Sequence, residues 1–76
     1  MYVTDALKEV RKEYVRAVKC FPKFASAHEG YAIIYEEMDE LWNDVKKQYT
    51  INRTDNMRQE AIQVAAMALR FLTDIC

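Results

Sequence analysis

The stretch SAHEGYAIIYEEMDELWNDVKKQ, residues 26–48, decides how this chain is read. It opens on a capping box, Ser26-Ala27-His28-Glu29. In such a box the serine hydroxyl accepts from the backbone N–H three residues on, and the glutamate reaches back. Behind the cap, Tyr31, Ile34, Tyr35, Met38, Leu41, Trp42 and Val45 recur at helical spacing, with Tyr49 just beyond the stretch. The pattern predicts a helix from the Ser26 cap to about Gln48, with Gly30 in its first turn. At about 1.5 Å per residue it is roughly 33 Å long.

A helix precedes it and another follows. Val3, Leu7, Val10, Tyr14, Ala17 and Phe21 form one apolar stripe. Thr4 as N-cap and Pro22 as stop bound a first helix over about Thr4 to Cys20, since the residue before proline leaves the helical region. Thr50 to Asn56 is a polar connection. A third helix starts near Thr54 or Asn56 and runs on to the end. From Ala61 to Leu69 it is apolar on every side except at Gln63. A helix apolar all round is buried on more than one face, and Ala61, Ala65, Ala66 and Ala68 let another helix approach closely. The expectation is an all-α, three-helix protomer with antiparallel helices, assembling into an oligomeric helical bundle with helix three in the interface.

Composition agrees. One Gly and one Pro in 76 residues leave little turn chemistry, which argues against an all-β chain. A chain this short forms one domain, residues 1–76, and buries only about 60% of the surface its unfolded form exposes. It needs a staple. Cys20 and Cys76 are too few for a disulfide framework and lack zinc spacing, so they read as buried or incidental. Metal through other ligands, or self-association, remains. The longest apolar run, Val64 to Leu69, is too short to span a bilayer. Asp5, Lys8 and Glu9 stand where a signal peptide needs apolar residues. The expected location is cytoplasmic.

Net charge is −1, but its distribution is uneven. Residues 24–45 carry −6 with no Lys or Arg, flanked by +3 over residues 1–23 and +2 over residues 46–76. An acidic block between basic ones does not suit a nucleic-acid groove. It suits a site that collects cations. Glu36, Glu37 and Glu40 read Glu-Glu-x-x-Glu, and Asp44 continues the stripe. Each like-charge pair one turn apart costs about 0.2–0.5 kcal/mol. A hard cation such as Mg²⁺ or Mn²⁺ offsets that repulsion; a solvated acidic face carries the same pattern. On helix three, Glu60, Gln63, Met67, Arg70 and Asp74 share one stripe. If helices two and three pack antiparallel, Glu37, Glu40, Glu60 and Gln63 face one another, a known way to build a metal site in a bundle. The competing arrangement pairs Glu60 with Lys46 or Lys47 and leaves Gln63 in a buried hydrogen bond.

Glu-Glu-x-x-Glu on one helix, followed by a helix that opens on Glu-x-x-Asp, is the signature of the all-α nucleoside triphosphate pyrophosphohydrolases. From about His28 to Leu72 the chain resembles the MazG-like branch of that family. The resemblance implies a magnesium-dependent enzyme that releases pyrophosphate from a nucleoside triphosphate, leaving the monophosphate. It implies Glu37, Glu40 and Glu60 as metal ligands, with Glu36 as a further ligand or the group that orients the attacking water. Gln63 stands where the motif has Asp. Its carbonyl can coordinate magnesium but brings no charge, so metal binds more weakly or one ion does the work of two.

Lys46, Lys47, Arg58 and Arg70 are candidate phosphate contacts, or simply solvated cations. Trp42 and the tyrosines are chiefly core. His28 lacks an orienting acid, and Ser26 is already used by the cap. Two functions follow. One is the pyrophosphohydrolase, acting as a homodimer or dimer of dimers. The other is a non-catalytic helical oligomer of the same fold that serves as an interaction or regulatory module.

Overall fold

The computed structural model describes residues 1–47 and 51–76. Gln48, Tyr49 and Thr50, which carry the expected end of helix two, the last apolar position of its stripe and the start of the connection, lie outside the described residues. Three α-helices make up the fold: α1 (Val3–Cys20), α2 (Ala27–Val45) and α3 (Arg53–Asp74). Among the described residues there is no strand, and no helix is long and apolar enough to cross a membrane.

The helix boundaries follow from local hydrogen bonding. Ser26 Oγ accepts from the Glu29 N–H at 3.1 Å, as the capping box requires. The Glu29 carboxylate reaches back one residue further than expected, to the Ala25 N–H at 3.0 Å. Phe21 is extended at φ −131°, ψ 147°, so the residue before Pro22 does end α1. Thr4 is not the cap. The Ala6 N–H already donates to the Tyr2 carbonyl at 3.0 Å, so the first turn closes on Tyr2. The start of α3 likewise lies upstream of expectation, because the Asn56 N–H donates to the Asn52 carbonyl at 2.9 Å. α2 stops at Val45, short of Gln48. There the Lys47 N–H turns to the Asp44 carbonyl, the tighter spacing of a closing helix.

α3 is the central helix. It packs on α1 along one side and on α2 along another, while among the described residues the α1 and α2 backbones do not come within 8 Å of each other. This accounts for much of its all-round apolar character: Ala66 is fully buried and Met67 nearly so. Gly30 of α2 sits against the far end of α3. A Cβ there would lie 2.7 Å from the Phe71 ring and 3.0 Å from the Phe24 ring, closer than packing allows. At the other end, Arg53 of α3 donates to the Val45 carbonyl at 2.7 Å.

The 21–26 connection is tied to α3 by Arg70 and Asp74. Arg70 is only 4% exposed. It donates to the Pro22 carbonyl at 2.7 Å and lies over the Phe24 ring, 4.3 Å from its centroid. Asp74 accepts the Phe24 N–H at 3.1 Å. Tyr14 of α1 donates to Thr73 at 3.0 Å.

The expected apolar stripes divide. On α2, Ile34, Leu41 and Val45 turn inward with Ile33, but Tyr31, Tyr35, Met38 and Trp42 are 48–66% exposed. One partner helix covers only one side of α2, so among the described residues no other helix covers its second apolar line. Val3 and Leu7 of α1, and Phe21 just past its end, are exposed for the same reason. On α3, Ala61, Ala68 and Leu72 remain outside. Cys20 and Cys76 are both exposed and unpaired rather than buried.

Candidate metal centre

Helical spacing places Glu37 and Glu40 one turn apart on α2. Packing brings Glu60 of α3 opposite them. One carboxylate oxygen from each lies within 4.8 Å of the others. Glu40 is exposed, whereas Glu37 and Glu60 are half-buried along the α2–α3 seam. The Oε2 atoms of Glu37 and Glu60 are both buried and have no hydrogen-bond partner. Buried polar atoms are nearly always partnered. Among the described residues Arg53 Nε and Arg70 Nε are also buried without a partner, but the two carboxylate oxygens belong to one cluster of like charge.

The electrostatics carry the same strain. Burial, then the charge of Glu40, push the Glu37 carboxyl up to about 7, and Glu60 and Glu36 add to the shift. Burial and Glu40 also raise the Glu60 carboxyl, with a further contribution from Asp44. No cation offsets this: among the described residues, no Lys or Arg forms a salt bridge with Glu37, Glu40 or Glu60. The alternative in which Glu60 pairs with Lys46 or Lys47 does not form. Lys47 instead approaches Asp44 at 3.9 Å, and Lys46 lies 6.0 Å from the Trp42 ring centroid. As a donor set, three carboxylates on two helices fit a hard, oxygen-seeking divalent ion.

Glu36 is exposed on the adjacent position of α2 and is not one of the three converging groups. Gln63, one turn along α3 from Glu60, lines a cleft of about 310 Å³ together with Glu37. The cleft runs from Glu37 toward the 21–26 connection, and Glu40 and Glu60 do not line it. Its walls include Arg16 of α1, Phe24, Ile33 and Arg70. Gln63 also lies close to Glu13 of α1, whose carboxyl is held below its usual range chiefly by Arg16 and partly by Gln63.

The expected phosphate contacts are placed differently. Arg70 is not a solvated cation, because its guanidinium is committed to Pro22, Phe24 and Asp74 inside the fold. Arg58 pairs with Asp55 at 3.5 Å. Lys46, Lys47 and Arg58 do not line the cleft. The cleft's other cation is Arg16, exposed and paired with Glu13. The sequence gives it no motif, and only the packing of α1 on α3 brings it there. No known protein family matches this chain, and no curated protein or solved structure is similar to it.

Proposed function

We propose that the chain is a MazG-like, Mg²⁺-dependent nucleoside triphosphate pyrophosphohydrolase, converting a nucleoside triphosphate to the monophosphate and pyrophosphate. One observation carries the reading: Glu37, Glu40 and Glu60 converge from two helices, and two of their oxygens are buried without a partner. The resemblance over residues 28–72 names the chemistry, and the donor set suits it. Glu37, Glu40 and Glu60 hold the ion, with Gln63 adjacent. When bound, a divalent ion there neutralises charge on the phosphates and lowers the pKa of a coordinated water. Glu36, exposed beside the cluster, is free to orient that water. Contacts between opposite ends of α2 and α3 support an antiparallel pair. The open apolar line on α2 supports a homodimer or dimer of dimers in the cytoplasm.

The test is a panel of ribo- and deoxynucleoside triphosphates with Mg²⁺ or Mn²⁺, scored for pyrophosphate release. Release by the wild type that Glu37→Gln and Glu60→Gln both abolish supports the reading. No release from any of them refutes catalysis.

A second reading has its own support. Gln63 in place of an acid, together with the exposed line Tyr31, Tyr35, Met38 and Trp42, favours a non-catalytic oligomer that keeps the fold as an interaction or regulatory module. Metal-dependent stabilisation without turnover is its signature.

A further inference from the structure

We propose that Arg16 is the phosphate-binding cation of the cleft, held by Glu13 until a polyphosphate displaces that carboxylate. This rests on the pyrophosphohydrolase reading for its ligand class and adds a residue of α1 that no sequence motif marks.

Two arginines line the cleft. The side chain of Arg70 is 5% exposed and engaged within the fold, while that of Arg16 is 53% exposed. Only Arg16 can therefore turn to a ligand without breaking the core. Its Nε donates to both Glu13 oxygens, at 3.0 and 2.9 Å, and its Nη2 donates to Oε1 as well. A planar guanidinium fork that grips two carboxylate oxygens matches two oxygens of a phosphate equally well. The pair lies one helical turn apart with the Arg16 side chain 53% exposed and that of Glu13 14% exposed, and Gln63 stays beside the Glu13 carboxylate when the guanidinium turns away. Exchanging a singly charged carboxylate for a more highly charged phosphate group therefore favours the ligand.

Charge across the cleft points the same way. Glu37 makes one wall of the cleft acidic, and its repulsion weakens the binding of a bare polyphosphate there. A divalent ion removes that repulsion, and Arg16 supplies positive charge from the facing helix. Glu29, the other carboxylate on the wall, is turned to the Ala25 N–H. A cavity of about 310 Å³ lies within the range of small-molecule sites. Arg16 thus grips one phosphate while the ion holds its neighbour, which fixes the ligand along the cleft.

Calorimetric titration of the full chain tests this, with Mg²⁺ alone, with inorganic pyrophosphate at saturating Mg²⁺, and with pyrophosphate in chelator. Arg16→Gln should weaken pyrophosphate binding about tenfold or more, the scale of losing a charge-assisted hydrogen-bond pair. Its Mg²⁺ binding and melting temperature should stay those of the wild type. Glu13→Gln frees the guanidinium and should tighten pyrophosphate binding. Asp55→Asn makes the same charge change away from the cleft and should do neither. The proposal is overturned if Arg16→Gln binds like wild type, if Glu13→Gln fails to tighten binding, or if Asp55→Asn matches it. If the wild type binds no Mg²⁺, the metal reading fails by itself. The chelator arm then decides Arg16: pyrophosphate binding lost in Arg16→Gln upholds its role, and binding unchanged or absent overturns it.

Discussion

Replacing Glu37 by Gln should stabilise the metal-free protein at pH 8 and leave it nearly unchanged at pH 4. The Glu37 carboxyl moves from its ordinary 4.5 to about 7 on folding, because burial and the charges of Glu40, Glu60 and Glu36 oppose ionisation. The folded chain therefore holds this proton more tightly than the unfolded chain. The benefit is fully present below about pH 4.5, is lost as pH rises through about 7, and stays lost above that. Taken at full value the shift corresponds to about 3 kcal/mol. Glu37 is only half-buried, so solvent screening reduces this to about 1–2 kcal/mol. For a domain of this size that is roughly 5–10 °C in melting temperature. Thermal melts in chelator at pH 4 and pH 8 read it directly. The wild type should lose stability between the two, and Glu37→Gln should lose less. At pH 8, Mg²⁺ should raise the wild-type melting temperature and leave the variant unmoved. A wild type equally stable at both pH values, with a variant that melts no later at pH 8, would refute the account of the seam as a site of charge repulsion.

Gln63→Asp adds a negative ligand one turn from Glu60; it should tighten Mg²⁺ binding and preserve or raise pyrophosphate release, whereas destabilisation that Mg²⁺ leaves untouched separates Gln63 from the metal site. Gly30→Ala should destabilise by about 1–2 kcal/mol in chemical denaturation, since the clash with Phe71 and Phe24 outweighs the better helix propensity of alanine; a more stable variant means the rings shift freely. Arg70→Ala removes the partner of the Pro22 carbonyl and the positive charge beside the buried Asp74, which keeps its bond from the Phe24 N–H, and should cost about 2–4 kcal/mol; a melt within 2 °C of wild type (roughly 0.5 kcal/mol) contradicts that. Light scattering should give at least twice the 9.0 kDa chain mass, and Trp42→Glu should lower it; a wild-type monomer with a cooperative melt removes the case for self-association.

Three helices were legible from periodicity and punctuation, because Ser26, Pro22 and the polar connection act locally. The convergence of Glu37, Glu40 and Glu60 was legible once two helices were given a short connection. What the pattern did not resolve was which apolar line of a helix meets a neighbour. Tyr31, Ile34, Tyr35 and Leu41 all fit one broad stripe, and only the placement of α3 separates the covered line from the open one. Caps on Tyr2 and Asn52 escaped because both helices begin without a side-chain hydrogen bond. Arg16 escaped because its cleft joins residues from three helices, and no spacing within one helix encodes that.

Because α1 and α2 each pack chiefly on α3, neither has its main partner until α3 exists. Tyr14 waits for Thr73, 59 residues away, and Phe24 waits for Asp74, 50 residues away. During synthesis the first two helices leave the ribosome as isolated amphipathic segments, each at best marginally helical in water. Their apolar lines stay open to chaperones or to other chains for that whole interval. A chain cut short within α3 should therefore show no cooperative thermal transition.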